Sequence, residues 1–186
     1  MREYRALAAS VGASVDLGLL PNFGAVPKFD EAAETFGENA VGKALHYSHF
    51  SPGLVIADDS GLVVPALGGA PGVHSARYAG PEASDADRIH KLLGAMRGKK
   101  VEDRRARFVC VVALAERGEA RGIFSASAEG ELLDARRGEG GFGYDPIFFF
   151  PALGKTFAEI SREEKNLHSH RGKAFRKALD FLASAR

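Results

Sequence analysis

Two acids in succession, Asp58 and Asp59, end the aliphatic run Val55-Ile56-Ala57 and are followed by Ser60 and Gly61. A carboxylate at the C-terminal edge of a buried strand can hold a divalent cation or take a proton from water, and Ser60 sets a hydroxyl and an N–H beside it. Successive strand residues face opposite sides, so only one of the two acids does that work while the strand continues. Asp59 is assigned as that outward-facing acid, and Asp58 as structural. The same letters have a second reading, an ordinary turn, because Asp, Ser and Gly are turn formers.

Two further stretches carry chemistry. In "GEGGFGYDP", Gly138, Gly140 and Gly143 satisfy GxGxxG. A dinucleotide site needs a helix to open there, whereas Asp145, Pro146 and the run Ile147–Phe150 predict a turn and then a strand. What remains is a flexible loop presenting Phe142 and Tyr144 as faces for a heterocycle, with plain packing as the alternative. The stretch "SREEKNLHSHRGKAF" gathers Lys165, His168, His170, Arg171 and Lys173 near a helix start. Such donors suit phosphate or carbonyl oxygens, or else form a solvated basic face. There is no GxxxxGK[ST] phosphate loop, His46, His49, His74 and His90 lack zinc-ligand spacing, and Cys110 reads as core. Acids for a metal, aromatics for a ring and donors for oxygens are together the inventory of a nucleotide phosphohydrolase.

The elements that must position these residues follow from hydrophobic period and caps. A first helix carries Tyr4, Leu7, Ala8 and Val11 and stops at Gly12. A second spans Asp30 to about Phe50 and sets Glu31 and Glu38, seven apart, on one face. "LVIA" and "LVVPAL" read as two strands, the second interrupted by Pro65. Ser84 with Asp87 is a capping box for a helix bearing Ile89, Leu92, Leu93 and Met96, ended by Gly98. The runs Arg105–Glu116 and Ala120–Leu132 form a long hairpin. Ser161 with Glu164 opens a terminal helix whose apolar stripe is Phe175, Ala178, Leu179 and Leu182. Helices mixed with hairpin strands predict an α/β fold with a mixed sheet.

Composition sets the bounds. The chain has 186 residues, 45% apolar and 26% charged, enough for one structural unit with a sizeable core. A net charge of +1 does not demand a polyanionic partner. A single cysteine excludes an intrachain disulfide, and a cytoplasmic location with no membrane span is expected.

The motifs "TFGENAVGKA", "ADDSGLVVPALGGAPGVHSARYAG", "GGFGYDPIFF" and "EEKNLHSHRG", in that order over nearly the whole chain, resemble the inosine triphosphate pyrophosphatase family, the XTP/dITP diphosphatases. The resemblance implies one ITPase-like domain over 1–186, with an elongated mixed β-sheet flanked by helices and two lobes around a central cleft. It implies a Mg²⁺-dependent homodimer that converts ITP, dITP and XTP to monophosphate and pyrophosphate, with no nucleic-acid or membrane partner. Carried over by position, Asp59 is the proton acceptor and a metal ligand. Glu31 is the second metal ligand, with Asp30 and Glu38 as alternatives. Ser60 and Lys43 touch the substrate, Phe142, Gly143, Tyr144 and Asp145 embrace the purine, and Lys165, His170 and Arg171 read its edge. Family members begin with an apolar strand and a T/S-G-N-x-x-K loop, and Met1 stands just after the place of that lysine. The resemblance therefore also implies that the chain as written is weakly active or inactive. The alternatives are a Maf-type nucleotide pyrophosphatase and a non-catalytic nucleotide-binding remnant.

Overall fold

The computed structural model describes residues 2–10 and 15–184. Five helices are present among them: α1 (Arg2–Ser10), α2 (Phe36–Ser48), α3 (Asp85–Ala95), α4 (Arg162–His168) and α5 (His170–Ser184). The strands are β1 (Val55–Val63), β2 (Arg105–Glu116), β3 (Glu119–Leu132), β4 (Phe148–Phe150) and β5 (Lys155–Thr156), and they neighbour one another in sequence order in one antiparallel sheet flanked by helices. Glu131 pairs with Phe149 across β3 and β4, and Phe149 with Thr156 across β4 and β5. β2 turns into β3 through Arg117 and Gly118, both with positive φ (52° and 80°), the backbone that a two-residue hairpin demands.

The chain divides into two compact units, one of Met1–Asp59, Cys110–Ala126 and His170–Arg186, the other of Ser60–Val109 and Ser127–Ser169. In the first, β2 is covered on both faces, which is why its sequence is nearly continuously apolar rather than alternating. Val111, Ala113 and Ala115 meet Ala57 of β1 and Ala40 and Ala44 of α2. Cys110, Val112 and Leu114 meet Ala174 and Ala178 of α5, so Cys110 is core as its context predicts. α1 lies on α5 through Leu7, Ala8, Phe175 and Leu179, with the Tyr4 and Phe175 rings edge to face at 4.6 Å. Along β1 from Leu54 to Asp58 runs a largely apolar groove of about 680 Å³, lined by Tyr4, Leu17, Leu19, Phe23, Tyr47 and Ile56 among others. The second unit is cored by Leu62, Ile89, Leu92, Met96, Phe108, Phe148 and Phe157.

α3 and α4 start where the capping boxes predict, at Ser84 with Asp87 and at Ser161 with Glu164. Three expectations are corrected. The second helix begins not at Asp30 but after Thr35, whose hydroxyl accepts the Glu38 N–H at 3.2 Å and donates to the Glu38 carboxylate at 2.8 Å. Glu31 thus lies in irregular chain ahead of α2 and shares no helix face with Glu38. "LVIA" and "ADDSGLV" form one strand rather than two, and Pro65 opens a short 3-10 turn instead of a second strand. The terminal helix is broken at Ser169, which adopts an extended conformation between α4 and α5. The expected stop at Gly12 lies outside the described residues. Among the described residues, no helix is long and apolar enough to cross a membrane.

Replacing Thr35 by Ala removes the cap of α2 and is expected to destabilise the fold by about 1 kcal/mol in urea denaturation. Asp30→Ala, ahead of the helix, is expected to leave the midpoint within error; an equal loss from Asp30→Ala would place the helix start wrongly.

Candidate functional site

Because β1 does not turn at Asp58, the two acids leave it on opposite faces. Ala57, Asp59 and Gly61 share the buried side. Asp59 is only 8% exposed, so the expectation that it faces outward is corrected: α2 covers its side of the strand. Its Oδ2 accepts a hydrogen bond from Asn39 Nδ2 at 3.2 Å. Asn39 is fully buried in α2, and its amide also bonds both backbone groups of Ala33, at 3.1 Å from the N–H and 3.2 Å to the carbonyl. One amide thereby ties the segment before α2 to the acid on β1. The sequence reading passed over Asn39, whose signal is a polar residue at an inward position of an otherwise Ala-rich helix face.

On the other face, Asp58 Oδ2 accepts from Arg171 Nε at 3.3 Å and from the Cys110 thiol at 3.9 Å. Arg171 stands in the first turn of α5. Nearby, burial and then the Asp58 charge push the Tyr4 phenol well above its ordinary range. Lys43 Nζ lies 2.7 Å from Glu31 Oε1 and 2.9 Å from the backbone oxygen of Asp58, so α2 joins Glu31 to β1 although Glu31 is outside the helix. Of the alternatives to Glu31, Glu38 is engaged in the cap of α2 and Asp30 is exposed.

The donor set fits a hard cation. Asp59 and Glu31 supply carboxylate oxygens, and Mg²⁺ commonly takes one or two carboxylates and completes its octahedron with water and phosphate oxygens. Among the described residues no group of three or more His, Cys, Asp or Glu is placed to hold a metal ion.

The second unit holds the aromatic loop. Gly138, Gly141 and Gly143 have positive φ of 82°, 71° and 60°. A Cβ on Gly141 would stand 2.1 Å from the Asp145 carboxylate, so only glycine allows that close approach. Asp145 is buried, accepts the Phe142 N–H at 2.8 Å and forms an ion pair with Lys165. The Lys165 ammonium in turn lies 4.3 Å from the centre of the Phe142 ring, within cation–π range. Gly143 N–H donates to Asp85 Oδ2 at 2.7 Å. The loop is thus held by hydrogen bonds.

It also presents one ring, not two. Phe142 is 54% exposed, whereas Tyr144 is 3% exposed and donates its hydroxyl to Ser75 O at 3.0 Å. Tyr144 is corrected from a presented face to a core residue, since a buried phenol must find an acceptor and Ser75 supplies it. Lys165 is likewise buried, its ammonium engaged by Asp145 and Phe142. His170, at the start of α5 in the first unit, is buried, and His168 packs against the Phe150 ring at 5.7 Å. Ser60 follows Asp59 within β1, half-buried.

A family model described as the Ham1 family matches residues 1–181. The chain is 51% identical over 177 residues to a protein of Geobacillus kaustophilus named dITP/XTP pyrophosphatase, covering 95% of this chain and 86% of that one. It is 48% identical over 187 residues to a Pectobacterium atrosepticum protein of the same name, covering 100% of this chain and 93% of that one. The solved structure of a HAM1 protein from Coxiella burnetii matches with a TM-score of 0.88 at 39% identity, covering 98% of this chain and 94% of that one.

Burial raises the Tyr144 phenol above its ordinary value of 10.0, so folding favours the neutral hydroxyl. That stabilisation is complete below about pH 10 and is lost as pH rises above it. Tyr144→Phe, which leaves the Ser75 carbonyl without this donor, is expected to destabilise by about 1–3 kcal/mol near neutral pH. The gap between the two proteins should narrow in urea midpoints measured above about pH 10. A gap that widens there would contradict the buried, hydrogen-bonded phenol.

Proposed function

The chain belongs to the Ham1 family, and on that premise we propose that it hydrolyses non-standard purine nucleoside triphosphates, ITP, dITP and XTP, to the monophosphate and pyrophosphate. This makes it a hydrolase acting on an acid anhydride. The observation that carries the reading is the buried carboxylate of Asp59, held by Asn39 beside the segment that bears Glu31 and next in sequence to the backbone oxygen that fixes Lys43.

Asp59 orients the attacking water and takes its proton, and Asn39 keeps the carboxylate from rotating away. Asp59 and Glu31 would hold Mg²⁺. The chemistry such an ion would supply is electrostatic stabilisation of the charge that builds on the phosphates. Lys43, fixed by Glu31 and Asp58 O, adds a positive charge on the phosphate side, and Ser60, whose side chain leaves β1 on the face opposite Asp59, touches the substrate. The exposed ring of Phe142 stacks on the purine, with Gly143 and Asp145 setting the backbone that carries it and Lys165 lying over the ring. Tyr144 supports that loop from the core.

Selectivity follows from donors. Hypoxanthine and xanthine bear an oxygen at C6 where adenine bears an amino group, so His170 and the planar guanidinium of Arg171, oriented by Asp58, favour the oxygen. Adenine would leave such donors unpaired, a mismatch that discriminates by up to about 10⁴-fold in sites built on hydrogen bonds. The enzyme acts in the cytoplasm as a homodimer in this reading.

Pyrophosphate release from ITP, dITP, XTP, ATP and a methylated pyrimidine triphosphate tests the reading. The first three are expected to exceed ATP by on the order of 10²-fold or more in kcat/KM. Activity is expected to stop in EDTA and return with Mg²⁺. Equal use of ATP, release of orthophosphate in place of pyrophosphate, or preference for the pyrimidine would overturn it.

A further inference from the structure

We infer that Asp85 is a positioning residue for the purine-stacking ring, acting through the backbone of Gly143; the inference rests on the reading that Phe142 stacks on the base. Asp85 is the first residue of α3, directly after the N-cap Ser84. Its role is not the cap. The capping box is made by Ser84 and Asp87, whose side chains satisfy each other's backbone N–H groups. The Asp85 carboxylate points elsewhere: Oδ2 accepts the Gly143 N–H at 2.7 Å, and Oδ1 pairs with Arg88 one turn along the helix.

Arg88 is itself anchored, donating to Ala83 O at 2.6 Å and Ala76 O at 2.9 Å. The chain of bonds therefore runs from the aromatic loop into the first turn of α3 and on to the segment that precedes it. Two consecutive loop amides, those of Phe142 and Gly143, each meet a carboxylate, Asp145 at 2.8 Å and Asp85 at 2.7 Å. The two peptide units that flank the Phe142 Cα are thus each fixed at their N–H, and with them the direction in which the exposed Phe142 ring leaves the backbone. Burial alone would raise the Asp85 carboxyl, but the hydrogen bonds from Arg88 and Gly143 outweigh it and hold the group below its ordinary value. The acceptor therefore stays ionised through neutral pH, where it binds an N–H most strongly.

A ring held in place binds a base without first being ordered, so releasing the loop should weaken nucleotide binding and leave the hydrolytic step alone. Asp85→Ala is expected to raise KM for ITP about 10-fold, within the range that base stacking commands, with kcat within about 2-fold. Asp85→Asn retains an acceptor for Gly143 and is expected to recover most of the loss. Hydrogen exchange followed by mass spectrometry should show faster exchange across Gly141–Asp145 in Asp85→Ala. In a Phe142→Ala background, which itself raises KM, adding Asp85→Ala should produce no further rise. The inference is overturned if Asp85→Ala speeds loop exchange without moving KM, or if it raises KM equally in the Phe142→Ala background. If Phe142→Ala alone leaves KM unchanged while Asp85→Ala still speeds exchange, the stacking reading fails and the positioning role falls with it.

Discussion

A strand that keeps its pleat sends neighbouring side chains to opposite faces, and β1 keeps it through Asp58 and Asp59. The two acids of β1 are placed by that one constraint. Asp59 goes to the side covered by α2 and meets Asn39, while Asp58 goes to the side covered by α5 and meets Arg171. Even the backbone oxygen between these two assignments is used, since Asp58 O fixes the ammonium of Lys43, which also holds Glu31. The partition separates two duties that a single carboxylate could not perform: one acid beside the segment that carries Glu31, and one steering a guanidinium.

The second unit solves a different problem, how to expose a large aromatic ring without letting it collapse onto the surface. Glycines at positive φ let the backbone come within reach of Asp145, and acids from two elements then bind successive amides. Tyr144 turns into the core two residues from Phe142 and anchors the loop through Ser75, which also accepts the Leu62 N–H at 2.9 Å. Phe142 is one of several exposed phenylalanines, and what sets it apart is the set of hydrogen bonds that hold the backbone carrying it.

Much of this was legible in the residues. Ser84 with Asp87 and Ser161 with Glu164 locate two helix starts because a capping box is a local bargain, settled within four residues. Thr35 with Glu38 is the same signature, but Asp30 and Glu31 upstream resemble an acidic first turn and obscured it. The run Asp-Asp-Ser-Gly favours a turn by local propensity, and it is the pairing of β1 in the sheet that overrides the preference. Lys165 and Lys173 look alike in sequence. That one is buried against Asp145, twenty positions away, follows from tertiary packing and has no local signal. Asp85 was hidden for the opposite reason, since its place beside a cap explains its residue type without any reference to the loop it holds.

The division of labour between the two faces of β1 is tested most directly by making Asp58→Asn and Asp59→Asn in parallel and measuring steady-state ITP hydrolysis together with calorimetric nucleotide binding. Asp59→Asn is expected to lose on the order of 10³-fold in kcat with affinity within a few-fold of the parent. Asp58→Asn should keep kcat within about 10-fold and lose affinity for the base, because Arg171 is no longer held by a full negative charge. If the two variants fall together, or if the loss of turnover belongs to Asp58, the acids do not stand apart as the strand's pleat requires.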